Sequence, residues 1–366
     1  MGRIVCLGPS FRGQHHAPAE ARDYHSSARC LRLLLNHTKH YPMPLHYYVL
    51  YFWNTSVRRL VWTPPEGHQP RARRTRALEG IASAMVQLDR FSFRTGGCLL
   101  FGSDGTPSGI GPMRQADYKA MLDRWFVHKD PDDDPVYVEC AASSDPKAYF
   151  TLMLDRYPEQ NPVPKGVAML LRRLISWIPE PVGMDPFVLA HPDFDIQNVI
   201  VSEEGELGLI DWDGVAAVPR SLGNERYPGW LTRDWDPAMY GYKESMDHGL
   251  EPEGVWGDSP ECLAYYRGVY DGMVARHDRS ERGRGADPNL CRMSLITDNL
   301  AIAAHDPRCR NGIIRKMVNE IWAAAGRGGE LDFKDLAIMF AESNVDVAVM
   351  ETLSKGFDAL LSREGL

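Results

Sequence analysis

The sequence predicts an α+β protein of two unequal parts, in which helices surround a short β element that carries clustered polar residues. Its 366 residues are too many for one simple core and fit two lobes or domains. Helical periodicity dominates roughly the last 200 residues. Residues 187–212 interrupt that periodicity with three short apolar runs separated by polar turns, which indicates a small β element.

The first 65 residues are predicted to differ from the rest. Residues 21–38 place apolar side chains on one helical face and predict an amphipathic helix. Pro42 and Pro44 end that helix, because a proline disfavours helical backbone at the residue before it. The aromatic and β-branched run at 47–53 then predicts a buried strand.

Helix and hairpin patterns alternate through the middle of the chain. Residues 73–90 have a helical apolar register, and residues 96–112, with an Asp-Gly pair between apolar runs, predict a hairpin. Two helices are expected within 113–160, around an exposed polar loop at 129–135. The apolar positions of residues 164–178 lie three and four apart and predict a core helix.

The remaining sequence predicts the β element and then helices. Residues 187–212 consist of a strand FVLA, a polar loop, a strand VIVS, a turn and a strand LGLIDW. The predicted helices after this element are 259–276, 289–305, 311–325 and 332–362.

Composition excludes several classes of protein. No stretch reaches eighteen uncharged apolar residues, so no membrane span is predicted, and the start of the chain is too polar for a signal peptide. Seven scattered cysteines without a CxxC pair favour a reducing, cytoplasmic setting over a disulfide framework or a zinc site. A net charge of −8 argues against nucleic acid as a partner and is compatible with a neutral or cationic small molecule.

Polar residues crowd into two neighbouring segments, HPDFDIQN at 191–198 and LIDWDG at 209–214. Apolar strands hold both ends of the first segment, so they can aim Asp193 and Asn198 at a common point. The strand-turn-strand that follows returns the chain to the same edge and brings Asp211 beside Asn198. Asparagine and aspartate oxygens suit Mg²⁺, which leaves Asp193 to accept a proton from a hydroxyl, as phosphoryl transfer requires.

Other interpretations of these residues stay open. Aspartate and asparagine also bend the backbone of polar turns, and Asp195 is predicted to be structural. Asp213 could contact a metal or only begin the turn. Trp212, Trp230 and Trp235, with nearby acidic residues, could form a wall for a cationic substrate, although core packing is the favoured interpretation.

The segments HPDFDIQNVIV and GLIDWDGVAAVP resemble the aminoglycoside phosphotransferase and choline kinase-like family, particularly its fungal members. That family has the pattern HGDLxxxNILV, then GIIDWE, on a protein-kinase-like, bilobal fold. The resemblance implies that Asp193 is the catalytic base, that His191 shapes the loop, and that Asn198 and Asp211 hold Mg²⁺ beside ATP. Pro192 replaces the usual glycine, which stiffens the loop without removing a catalytic group.

The resemblance also implies a division of the chain. Residues 1–65 correspond to an N-terminal lobe that ends in the hinge, where Tyr51 and Phe52 would contact the nucleotide. Residues 66–366 correspond to a mainly helical C-terminal lobe with a catalytic β-hairpin. The glycine-rich turn, the strand lysine and the helix glutamate of such a lobe are missing, the glutamate's position falling near Ser27. We therefore expect a truncated or degenerate N-terminal lobe, with a gene model that begins too late as the favoured cause.

The predicted function is ATP- and Mg²⁺-dependent transfer of the γ-phosphate to a hydroxyl of a small molecule, which can include cationic ones. The alternative is a catalytically inactive kinase-like binding protein, because the lysine and glutamate of the N-terminal lobe are missing. A protein kinase is disfavoured, since no activation loop follows IDWDG.

Overall fold

The computed structural model describes residues 70–103, 106–130, 132, 134–180, 185–201, 207–212, 214–238, 240–242, 258–282, 291–328 and 331–362. This part of the chain is an α+β structure with a curled antiparallel sheet and a helical C-terminal region. The helix predicted at 21–38, the strand predicted at 47–53 and the boundary predicted at residue 65 lie outside the described residues.

Helices make up most of the described chain. They are α1 (Pro70–Leu88), α2 (Tyr118–Leu122), α3 (Pro146–Arg156), α4 (Pro162–Trp177), α5 (Pro260–Arg282), α6 (Arg292–His305), α7 (Pro307–Ala324), α8 (Phe333–Ala341) and α9 (Val347–Ser362). Shorter turns are a π-helical turn, Asp123–Val127, and the 3-10 turns Ile196–Asn198, Arg220–Leu222, Gly229–Leu231 and Arg233–Trp235. Within these ranges, no helix is long and apolar enough to cross a membrane.

The strands form one main sheet and two separate hairpin-like pairs. They are β1 (Ser92–Phe93), β2 (Gly97–Phe101), β3 (Pro107–Ile110), β4 (Met113–Ala116), β5 (Tyr137–Cys140), β6 (Phe187–Ala190), β7 (Val199–Val201), β8 (Leu207–Leu209) and β9 (Ala216–Pro219). The main sheet has the order β1-β6-β9-β2-β3, with antiparallel neighbours, and β4 pairs with β5 and β7 with β8. The predicted hairpins at 96–112 and 199–212 are confirmed.

Short polar residues set where several helices begin. Asp145 precedes Pro146, and its carboxylate accepts a hydrogen bond of 2.8 Å from the Lys147 amide at the start of α3. Asp306 precedes Pro307 in the same way and accepts from the Arg308 amide at 2.9 Å. These aspartates accept hydrogen bonds from amide groups that have no partner within the helix. A proline is tolerated at the first helical position, because the N–H that it lacks would have no partner within the helix there.

The prediction for residues 113–160 is incomplete, and the prediction of one last helix is wrong. Within 113–160, two helices, α2 and α3, and an exposed loop between them are present as predicted, but the structure also pairs β4 with β5, with Met113 opposite Cys140 and Ala116 opposite Tyr137. Strands of four residues are too short to show a period, and their pairing joins residues far apart in the sequence. The helix predicted at 332–362 is divided into α8 and α9, and Ser343 in the break has a left-handed φ of 58°.

One continuous set of buried apolar side chains joins the sheet to the helices. It runs from Leu78 in α1 through Leu171 in α4 and Leu209 in β8 to Phe357 in α9. β6 is buried at all four of its positions, so the polar loop that follows it starts from a rigid base.

Gly166 in α4 allows that helix to pack closely on α8. A Cβ at this position would overlap the backbone carbonyl oxygen of Ala337, which cannot move aside as a flexible side chain can. We expect Gly166→Ala to lower the free energy of unfolding by about 3 kcal/mol in chemical denaturation. Gly272→Ala in α5 is the matched control. Its Cβ would meet no atom within 4 Å, so it should raise the free energy by about 0.5–1 kcal/mol. Equal effects of the two substitutions would contradict the close packing.

Candidate functional site

The polar segment 191–198 lies between two buried β elements. β6 ends at Ala190, and β7 begins at Val199 and pairs with β8 so that Val199 lies opposite Leu209. The Ile210 amide donates to the Asn198 carbonyl oxygen at 3.0 Å, which extends this pairing by one residue. Asp211, the next residue after Ile210, therefore lies at the same edge as Asn198.

His191 braces the loop from inside. It is 1 % exposed, and its Nδ1 accepts a hydrogen bond of 3.2 Å from the Asp193 amide. The proton is therefore on Nε2, which donates to the Ile210 carbonyl oxygen at 2.7 Å. The ring also contacts Trp212 edge to face, with centroids 4.6 Å apart. The neutral imidazole of His191 is thus hydrogen-bonded both to Asp193, the predicted base, and to Ile210, the residue before Asp211.

Burial lowers the pKa of His191 from 6.5 to about 4. Because the folded value is the lower one, the unfolded chain binds a proton first as the pH falls. The contribution to stability is therefore fully present above pH 6.5 and is lost as the pH falls through about 4, by at most about 3 kcal/mol. His191 accordingly fits a structural role and is not poised as a general base at neutral pH.

His191→Gln should reveal this titration. Glutamine can still donate to the Ile210 carbonyl, but it lacks the ring that contacts Trp212, so the variant should be less stable than the wild type at pH 7. Glutamine does not titrate, so only the wild type loses stability through this position at low pH. The difference in the free energy of unfolding should therefore narrow by about 2–3 kcal/mol as the pH falls from 7 to 4. Urea denaturation at several pH values measures it. A difference that stays constant over this range would contradict a buried, neutral imidazole.

Asn198 holds Asp193 by its side chain. The Asn198 amide nitrogen Nδ2 donates to the Asp193 carbonyl oxygen at 2.7 Å and to its carboxylate Oδ2 at 2.9 Å. Asn198 is 5 % exposed, whereas Asp193 is exposed to solvent. Because the amide nitrogen makes both bonds, the amide oxygen of Asn198, the atom that could bind a metal ion, is not used by Asp193.

Asp211 has an unusual backbone conformation. Its φ of 61° lies in the left-handed region, which residues with a Cβ seldom adopt and which aspartate and asparagine tolerate best. The residue is exposed, although the Trp212 next to it is buried. Such conformations concentrate at functional sites, because the surrounding contacts must hold them.

The side chains of Asn198 and Asp211 offer the oxygen types that magnesium prefers. One carboxylate and one amide oxygen are hard ligands, and Mg²⁺ is commonly held by few protein groups, with phosphate oxygens and water completing its shell. Within the described residues, no group of three or more His, Cys, Asp or Glu side chains could hold a metal ion. A site made of Asn198 and Asp211 does not need such a group.

Asp195 has a structural role, as its position in the turn predicted. Its carboxylate accepts from the Ile196 amide at 2.7 Å and pairs with the Arg233 guanidinium at 2.6 Å. Gly229 packs on the same turn, and its amide donates to the Phe194 carbonyl at 2.8 Å. The loop is thus fastened to the segment that follows β9.

The tryptophans after the motif do not form a wall for a cationic substrate. Trp212, Trp230 and Trp235 are 2 %, 6 % and 3 % exposed, so the core-packing interpretation is confirmed. Asp234 is occupied by an ion pair with Arg267, in which Nη1 and Nη2 donate to the two carboxylate oxygens at 2.8 and 3.1 Å.

One residue that the sequence interpretation missed, Tyr118, interacts with Asp193. Burial raises the pKa of Tyr118, and the carboxylates of Asp306 and Asp193 add to that rise. The Arg308 guanidinium lies over the Tyr118 ring, 5.2 Å from its centroid, and is paired with Asp306 at 2.6 Å. Tyr118 belongs to α2, so no local sequence pattern indicates its interaction with Asp193.

The remaining predicted site residues lie outside the described part of the chain. Tyr51, Phe52 and Asp213 belong to this group. Asp193, His191, Asn198 and Asp211 are all described, and the structure brings them to one edge of the β7–β8 pair.

Comparisons of the chain with protein-family models, with curated proteins and with solved structures found no match. The geometry of this loop and its residue types are therefore the observations that bear on function.

Proposed function

We propose that this protein is an ATP-dependent phosphotransferase with a protein-kinase-like fold, which transfers the γ-phosphate to a hydroxyl group of a small molecule. The observation that carries the proposal is the placement of Asp193, Asn198 and Asp211 at one edge of a β pair. A base, an asparagine and an aspartate in this order are the groups that phosphoryl transfer requires from such a loop.

Asp193 is suited to the role of base. Its carboxylate is exposed, so an acceptor hydroxyl can reach it, while its backbone is held on both sides by His191 and Asn198. In the proposed step Asp193 accepts the proton of the hydroxyl as the hydroxyl oxygen bonds to the γ-phosphorus. The bond between that phosphorus and the bridging oxygen breaks, and its electron pair leaves on ADP.

Asn198 and Asp211 are the residues that would hold Mg²⁺. When bound, the ion neutralises charge on the phosphate oxygens. The buried position of Asn198 and the backbone contacts of Ile210 hold the backbone of both residues in place before a nucleotide binds. This preorganisation is the contribution that the chain's own residues make to the site.

Calorimetry on the full chain tests the proposal. ATP should bind more tightly with Mg²⁺ than without it, and Asp211→Asn should remove most of that difference, because the amide carries no charge. Asparagine is the appropriate replacement, since it also tolerates a φ of 61°. Asp358→Asn, an exposed position in α9, is the control and should bind as the wild type does.

The outcomes separate the alternatives. No detectable ATP binding in the presence of Mg²⁺ would overturn the proposal. Binding that depends on Asp211, without ATP hydrolysis and without transfer to any hydroxyl acceptor, would instead favour the catalytically inactive binding protein.

A further inference from the structure

Gln197, the residue before Asn198, makes a direct contact with the proposed base. Its side-chain nitrogen Nε2 donates to the Asp193 carboxylate oxygen Oδ2 at 2.8 Å. Asn198 donates to the same oxygen at 2.9 Å. One oxygen of the carboxylate therefore receives two amide N–H groups, one from a buried residue and one from an exposed residue.

This arrangement makes the two oxygens of Asp193 different. A carboxylate oxygen has two lone pairs, so two donors saturate Oδ2. Oδ1 receives neither of these bonds, which makes it the oxygen that can take up a proton. His191 and Asn198 already hold the backbone of Asp193. The two amide donors to Oδ2 therefore act on the side chain, where they restrict rotation of the carboxylate.

Asn198 alone would restrict that rotation incompletely. Its Nδ2 divides its two hydrogens between the carboxylate and the carbonyl of Asp193, and its amide oxygen is a candidate metal ligand. Gln197 is exposed, so its side chain does not pack in the core. Its side chain turns back over four residues to reach Asp193 instead of extending into solvent.

We propose that Gln197 is a positioning residue for the phosphotransfer reaction, which holds Oδ2 of Asp193 so that Oδ1 faces the acceptor hydroxyl. This inference rests on the proposed function.

Two substitutions separate the donor from the size of the side chain. Gln197→Met keeps a similar length without a donor and should lower kcat about tenfold, with KM changed less than twofold, since Gln197 acts on the base and not on the substrate. Gln197→Lys restores a donor and should restore kcat. Gln160→Met, at an exposed glutamine between α3 and α4, should behave as the wild type.

A measurement without turnover tests the contact itself. In protein labelled with ¹⁵N only at glutamine, the Gln197 side-chain amide resonance should differ between the wild type and Asp193→Asn, because the charged acceptor of its hydrogen bond is replaced. The Gln160 side-chain resonance should be the same in both proteins. A Gln197 resonance that is unchanged in Asp193→Asn would overturn the inference.

The kinetic outcomes distinguish this inference from the proposed function. A wild-type chain that transfers no more phosphate than Asp193→Asn overturns both. An active wild type whose Gln197→Met variant keeps its kcat, or changes only in KM, overturns the role of Gln197 and leaves the proposed function standing.

Discussion

Asp193→Asn is expected to lower the rate of phosphoryl transfer by ~10²–10⁴-fold, the usual effect of removing a general base. The amide has almost the same shape as the carboxylate and cannot accept the proton. Asp193 is exposed, so its replacement should change the midpoint of thermal unfolding little. Steady-state kinetics with ATP and a panel of small hydroxyl acceptors, together with a thermal melt, measures both effects.

Asp195→Asn is the matched control within the same loop. Asp195 lies two residues away and pairs with Arg233, whose side chain is only 15 % exposed. This variant should lose about 1–2 kcal/mol of stability, because the charge-assisted hydrogen bond is weakened, and it should keep most of its catalytic rate at a temperature where it stays folded. Unchanged turnover in Asp193→Asn would remove Asp193 from the role of base.

The second large effect concerns stability. Arg267→Met should lower the free energy of unfolding by about 3–5 kcal/mol, because it leaves the Asp234 carboxylate buried without its partner. The two side chains are 4 % and 5 % exposed, so water cannot take the place of the guanidinium. Arg267 also donates to the Leu231 carbonyl at 2.7 Å, and that acceptor loses its partner as well. Chemical denaturation followed by circular dichroism measures the loss.

Two controls make this prediction specific. The double variant Arg267→Met with Asp234→Leu removes both charges and should recover most of the lost stability. Arg276→Met in the same helix removes a guanidinium that is 65 % exposed and should cost less than 1 kcal/mol, roughly the value of a surface pair. Similar losses in Arg267→Met and Arg276→Met would show that burial does not determine how much the Arg267–Asp234 pair contributes to the free energy of unfolding.

The buried pair also bears on the site. Asp234 and Arg233 are neighbours in one 3-10 turn, and Arg233 pairs with Asp195 in the loop of residues 191–198. Arg267 in α5 therefore anchors the turn that holds the loop. Removing Arg267 should therefore loosen the turn and, through Arg233, the loop as well, although Arg267 has no described contact with Asp193.

Sequence periodicity was sufficient for the long elements. α4 and the hairpin of β2 and β3 were predicted because their patterns repeat over enough residues, or include a turn signal, to be unambiguous. β9 was not predicted. Its four residues pair with β6, about thirty positions earlier, and two of them, Ala216 and Ala217, also pair with β2, more than a hundred positions earlier. A strand of that length is defined by its partners, and the local sequence does not contain them.

The residue types of the site were also accessible from sequence. A histidine, two aspartates and an asparagine between apolar runs, followed by a second aspartate, limit the chemistry to hard oxygen ligands and proton transfer. The sequence likewise indicated that the hairpin would return Asp211 to Asn198, because antiparallel strands joined by a short turn must end at the same edge.

Tertiary structure alone decided which of these groups is available for chemistry. Asp193 and Asp195 are the same residue type in one turn, yet Arg233, thirty-eight positions away, binds only Asp195. His191 is neutral because the folded chain buries it, and Gln197 faces Asp193 because the 3-10 turn places it there. Burial and hydrogen-bond partners depend on distant segments that folding brings together, so the order of residues names the candidates and the fold assigns their roles.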